Sequence, residues 1–168
     1  MFVSKIFRIW LVVSALVVLW DAGFILLRPH TLPGGKYHTF WKPYAKYIQL
    51  DTLYNDEKDI FVRVQSVFNI FEAFLSFLAS MMLCIKNAKL KVAGSILALI
   101  ASCFTYWKTC IYFFYDESFI NYNNSTFELV MLFLIPNLIW IVMPFLAIVS
   151  ISRGIYFSLS FNLKNKNE

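Results

Sequence analysis

An all-α integral membrane protein with four spanning helices is the fold class this sequence predicts, and three observations carry the prediction. Of its 168 residues 60% are hydrophobic and only 15% charged, with a mean hydropathy of +0.64. A water-soluble domain carries about 25% charged residues, so this chain cannot cover a globular surface with polar side chains. Second, the apolar residues gather into four runs, roughly Ile6 to Leu27, Val62 to Ile85, Val92 to Tyr115 and Phe127 to Ile151. Each meets the requirement of about 20 residues for a helix across a hydrocarbon core of about 30 Å. Third, none of the runs shows the period-two alternation of a membrane barrel strand.

The first run follows Lys5 and Arg8 as a signal peptide would, but no small-residue cleavage site follows it, so it reads as a permanent helix. Lysine and arginine flank the amino terminus, the second loop (Lys86, Lys89, Lys91) and residues 152–168 (Arg153, Lys164, Lys166), while the third loop, Asp116 to Thr126, has none. The positive-inside rule then puts both termini in the cytosol and residues 152–168 in a cytosolic tail. Two overlapping glycosylation sequons at Asn123 and Asn124 sit in the loop predicted to be luminal. Lys164 and Lys166 resemble a dilysine retrieval signal, which predicts residence in the endoplasmic reticulum.

The loop between the first two helices is dense in aromatic residues: Tyr37, Phe40, Trp41, Tyr44, Tyr47 and Tyr54, interleaved with lysines. Such rings suit the headgroup region, so a folded luminal cap is expected there. His30 and His38 lack the spacing of metal ligands and are expected to bond to neighbouring backbone; no metal or cofactor is expected. Cys84, Cys103 and Cys110 show no paired spacing and read as small buried hydrophobes. The net charge of +5 is scattered between apolar blocks, which excludes a nucleic-acid stripe.

Function is expected where ionisable groups enter lipid, each costing about 2.5 to 3.5 kcal/mol on insertion scales. Asp21 lies in the first helix, Glu72 in the second and Lys108 in the third. Gln65, Asn69, Glu72 and Ser76 share one helical face, as do Thr105, Lys108 and Tyr112 on the third helix and Asn137, Trp140 and Pro144 on the fourth. With a rise of about 1.5 Å per residue, Asp21 and Lys108 reach a similar depth. A ligand-binding cavity lined by Asp21, Asn69, Glu72, Thr105, Lys108, Tyr112, Asn137 and Trp140 is therefore expected, with Lys108 paired to either Asp21 or Glu72.

The four spans, the Trp41-Lys42-Pro43-Tyr44-Ala45-Lys46 stretch, the inward Glu72 and the run from Asn137 through Trp140 to Pro144 together resemble the EXPERA superfamily. That group includes a sterol double-bond isomerase, the emopamil-binding protein, and the sigma-two receptor. Trp20-Asp21 through Arg28-Pro29, Gly34-Gly35 and Trp41 are similar to a fungal-type branch of it. The resemblance implies a membrane protein whose partner is a sterol or other lipid, with self-association as a homodimer left open. It further implies that, in an isomerase, Glu72 is the acid and cation stabiliser, Asn137 its polar partner and Trp140 the ring facing the cation. Lys108-Thr109, however, stand where the isomerase-like pattern has Gly-Asp. An ammonium there opposes a carbocation, so the expectation is lipid binding, with isomerase chemistry the alternative and a purely structural partner of another membrane protein the third reading.

Overall fold

The computed structural model describes residues 3–115 and 126–166, with side-chain positions through residue 161. The sequon residues Asn123, Asn124 and Ser125, and the side chains of Lys164 and Lys166, lie outside the described residues. All regular structure among the described residues is helical. Helix α1 runs Lys5–Leu26, and a short 3-10 turn at His38–Trp41 leads to α2 (Tyr44–Leu50) and α3 (Thr52–Asn55). Then come α4 (Ile60–Cys84) and α5 (Ala88–Tyr115). The last helical segment opens as α6 (Thr126–Glu128), passes through a π-helical stretch at Leu129–Leu134 and continues as α7 (Ile135–Lys166). Four stretches, Lys5–Leu26, Ile60–Cys84, Ala88–Tyr115 and Thr126–Phe161, are long and apolar enough to cross a membrane. By length and composition the chain is a multi-pass membrane protein.

The helix starts follow from capping chemistry. Ser4 accepts the Phe7 amide, Asp59 accepts the Val62 amide at 2.7 Å, and the Asn87 side chain accepts the amides of Lys89 and Leu90. Each occupies one of the orphan donors that every helix start leaves. These caps carry α4 and α5 a few residues upstream of the apolar runs. The end of α7 departs from expectation: helix continues to Lys166 where a separate tail from residue 152 was predicted. Beyond Arg153 the sequence Ile155-Tyr156-Phe157 stays apolar and contains no proline, so nothing local stops the helix.

Helix α1 packs on α4, α4 on α5, and α5 on α7. All four long helices contribute to one buried cluster: Val3 and Leu11, Ala79 and Leu83, Ala98 and Ala101, Ala147 and Ile151. Half of these are alanine, which lets helix backbones approach closely where van der Waals packing, not the hydrophobic effect, holds helices together. A second cluster joins α1, the loop and the far ends of the spans, with Phe24, Ile48, Tyr54, Val62, Tyr112 and Phe133 among its members.

The loop after α1 folds inward. Gly34, at φ +86°, takes the left-handed conformation that reverses the chain. Trp41 donates from Nε1 to the Trp20 carbonyl at 2.9 Å and lies over Gly23, where an added Cβ would come 3.0 Å from the ring. Arg28 ties the other end down, giving Nη1 hydrogen bonds to the carbonyls of Leu53, Tyr54 and Asp56. His38 faces the Thr31 carbonyl, as expected of it, while His30 packs its ring against Tyr37. The cysteines are not the buried hydrophobes the sequence suggested: Cys84 is exposed and Cys103 and Cys110 are half-buried. Cys110 has a protein partner in the Tyr106 hydroxyl, one turn earlier on α5.

Candidate functional site

Helices α1, α4, α5 and α7, with α2 and α3 from the loop, line a partly open cavity of about 310 Å³. Apolar walls come from Val17, Val18, Val62 and Leu132, and rings from Tyr44, Tyr47, Tyr54, Tyr112 and Trp140. Its polar groups converge from separate helices: Asp21 from α1, Gln65 and Asn69 from α4, Lys108 and Thr109 from α5, and Asn137 from α7. The π stretch widens the last helix beside the cavity, and Pro136, which has no amide to donate, lines it one turn on.

Asp21 is held by three donors. Tyr44 donates to Oδ1 at 2.7 Å, Tyr54 contacts both oxygens at 3.0 and 3.1 Å, and Asn69 Nδ2 donates to Oδ2 at 2.9 Å. Through its other side-chain atom, Oδ1, Asn69 accepts the Lys108 ammonium. Lys108 Nζ also lies 2.6 Å from Glu72 Oε2. Glu72 is fully buried, and no aligned hydrogen bond to either of its oxygens accompanies that ion contact among the described residues. The result is a chain from Asp21 through Asn69 and Lys108 to Glu72, in which the lysine pairs directly with Glu72 and reaches Asp21 only through the amide.

Of the residues expected at the site, Asp21, Asn69, Lys108, Tyr112, Asn137 and Trp140 line the cavity. Glu72 and Thr105 do not. Glu72 sits behind Lys108, and the Thr105 hydroxyl is spent on the Ala101 carbonyl at 3.0 Å. Asn137 turns its amide back to the Phe133 carbonyl at 2.8 Å. Trp140 packs edge-on against Trp10, with ring centroids 5.1 Å apart, and its indole Nε1 has no hydrogen-bond partner among the described residues.

Asp51 was absent from the expected set. It is fully buried beneath the cavity rings and accepts the Tyr47 hydroxyl at 3.0 Å, the Tyr54 amide at 3.3 Å and the Tyr112 hydroxyl. Tyr54 therefore serves two carboxylates, its amide on Asp51 and its hydroxyl on Asp21. A signal was available: Asp51 precedes Thr52-Leu53-Tyr54 as an N-cap aspartate does.

Burial pushes the Tyr44, Tyr47 and Tyr54 hydroxyls above the ordinary phenol range, and the nearby Asp21 and Asp51 charges push the same way. All three therefore stay protonated, which a donor to a carboxylate requires. In the unfolded chain a tyrosine ionises near pH 10, so above about pH 10 the unfolded state sheds protons that the folded state keeps. Stability should thus be lost as pH rises through and beyond that value. The phenolate absorbance that Tyr47→Phe removes should be missing near pH 10 and should grow in only alongside the loss of near-ultraviolet dichroism. Ionisation of Tyr47 in the intact fold would contradict its burial.

No known protein family, curated protein or solved structure matches the chain. Fold and site by themselves define an all-helical protein with four candidate membrane spans and a polar-ended cavity between them.

Proposed function

We propose that this is a multi-pass protein of the endoplasmic reticulum membrane, with both termini cytosolic, that holds a sterol or similar lipid in the cavity between its helices, in the manner of the EXPERA superfamily. The observation that carries the reading is the cavity itself. Ligand sites are typically apolar, from about 300 Å³ upward, with a few polar groups fixing orientation. Here rings and aliphatic side chains form the walls, while Asp21, Asn69 and Lys108 form a hydrogen-bonded end at which a lipid hydroxyl can orient. The distribution of lysine and arginine supports the orientation.

Binding is favoured over isomerase turnover by the position of Glu72. A sterol protonated by this carboxyl would need it at the cavity wall, and Lys108 stands between them. Asn137 and Trp140 do line the cavity, which is what keeps the catalytic reading in second place.

Lipid extracted from the purified protein should contain a sterol or a lipid of similar size in near-stoichiometric amount. Leu132→Trp, which fills the cavity from the π stretch, should cut that amount about tenfold, the equivalent of about 1.4 kcal/mol. Equal lipid content in Leu132→Trp and the unaltered protein would mean the lipid is annular and the reading is wrong.

A further inference from the structure

Every hydroxyl group on the residues that line the cavity has given its proton to something other than a ligand. Tyr44 and Tyr54 donate to Asp21, and Tyr47 and Tyr112 to Asp51. Ser66 donates to the Val62 carbonyl at 2.9 Å and Thr109 to the Thr105 carbonyl at 2.8 Å. A hydroxyl has one proton to give and two lone pairs to receive with, so what each of these groups has left is its oxygen. Donors remain among the helical residues. Lys108 has three ammonium protons and spends two, on Glu72 and Asn69, and Gln65 and Asn137 contribute carboxamides. The four tyrosines, by contrast, form an acceptor-only surface backed by two carboxylates.

We propose that the tyrosine oxygens make the cavity selective for a lipid whose head group donates a hydrogen bond, a hydroxyl, over one whose head group only accepts, a ketone or an ether. The inference rests on the lipid-binding reading above and names the chemistry of the head group. A hydroxyl can give its proton to a tyrosine oxygen and still accept the remaining proton of Lys108. Each tyrosine oxygen is also the stronger acceptor for having donated to a carboxylate, because hydrogen bonds in a chain polarise one another. A ketone or ether keeps only the bond from Lys108. At the tyrosines it sets its lone pairs against theirs, and a buried acceptor that has left water goes unpaired. The charges of Asp21 and Asp51 act in the same sense, since they favour the positive end of the head-group dipole. Three of the four rings, Tyr44, Tyr47 and Tyr54, come from the segment between α1 and α4, so the loop supplies most of the selectivity.

Competition between head groups on one ring system tests this. Tritium-labelled cholestanol is bound to the detergent-solubilised protein, and the counts held by Leu132→Trp are subtracted as background. Unlabelled cholestanol, cholestanone and cholestanyl methyl ether then compete for the site. Cholestanol should displace the label at about tenfold lower concentration than either of the others. Two variants reverse the tyrosines without removing them. In Asp51→Asn the Tyr54 amide retains the oxygen, so the NH₂ group faces Tyr47 and Tyr112, donates to their oxygens and releases their protons toward the cavity. In Asp21→Asn the Asn69 amide retains the oxygen and Tyr44 is reversed in the same way. The margin of cholestanol over cholestanone should shrink to about twofold in at least one of them, each assayed below its own melting temperature. Equal displacement by all three competitors in the unaltered protein overturns the selectivity while leaving the binding reading intact. A tenfold margin that persists in both variants overturns its assignment to the tyrosines. Absence of saturable cholestanol binding overturns the binding reading and the selectivity with it.

Discussion

Lys108→Met should be among the most damaging single substitutions in this protein, and Glu72→Gln should largely repair it. With the ammonium gone, Glu72 is a fully buried carboxylate that has lost its Lys108 partner. Breaking a buried pair from one side costs about 3 to 5 kcal/mol, because the remaining charge is neither solvated nor matched. The same change frees Asn69 Oδ1 but leaves Asn69 Nδ2 on Asp21. Glu72→Gln removes the orphaned charge at nearly constant volume, so the double variant should recover most of the lost stability. Asp21→Asn should not rescue, since Asp21 keeps Tyr44, Tyr54 and Asn69 as donors whether or not the lysine is present. Heating the detergent-solubilised variants and following the monodisperse fraction by size-exclusion chromatography gives the comparison. Rescue by Asp21→Asn and not by Glu72→Gln would show that the pairing has been assigned to the wrong carboxylate.

That pairing marks the limit of what helical arithmetic reads from a sequence. Four spans were legible because an apolar run of about 20 residues leaves a chain little choice in lipid. The inward face of α4 was legible too: Asn69, Glu72 and Ser76 are all buried, as spacing along one helix dictates. Rise per residue fixes depth to within several Å but says nothing of rotation between helices. Asp21 and Glu72 therefore remained equal candidates for Lys108, and Glu72 was expected in a cavity that it stands behind. The loop was legible only in part: a folded cap was expected of it, but not which way its rings face. Aromatic rings near a membrane surface can lie among headgroups or fold over the protein, and composition is the same in both cases. What decides is tertiary: Tyr44, Tyr47 and Tyr54 have carboxylates to donate to, at Asp21 and Asp51, and so their rings turn inward. The cysteine reading failed on the same point, since an apolar environment in a membrane protein is as available outside the fold as within it.

Asp51 gives the second large effect. Replacing it by leucine should release the loop from the spans, because three donors lose their acceptor at once: the Tyr47 hydroxyl, the Tyr54 amide and the Tyr112 hydroxyl. Each buried donor left unpaired costs about 1 to 3 kcal/mol, and the bonds lost here are to a charged acceptor, so their sum rivals the whole stability of a small fold. The damage should spread to the cavity through Tyr54, whose amide is fixed by Asp51 and whose hydroxyl fixes Asp21. Asp51→Asn is the informative companion. A carboxamide oxygen can still cap the Tyr54 amide, but the NH₂ group then replaces the oxygen to which both the Tyr47 and Tyr112 hydroxyls donate, and it cannot accept from either. An intermediate loss of stability is expected for asparagine and a severe one for leucine. Limited trypsin digestion reads the loop directly, because Lys46 is exposed and cleavage after it requires α2 to open, whereas the Lys42-Pro43 bond resists trypsin. Cleavage should be slow in the unaltered protein, faster in Asp51→Asn and fastest in Asp51→Leu, in step with falling thermal stability. Were Asp51→Leu to resist trypsin and melt like the unaltered chain, the Tyr47 and Tyr112 hydroxyls would have other acceptors, and the loop would be held by Arg28, Trp41 and the Tyr44 and Tyr54 bonds to Asp21.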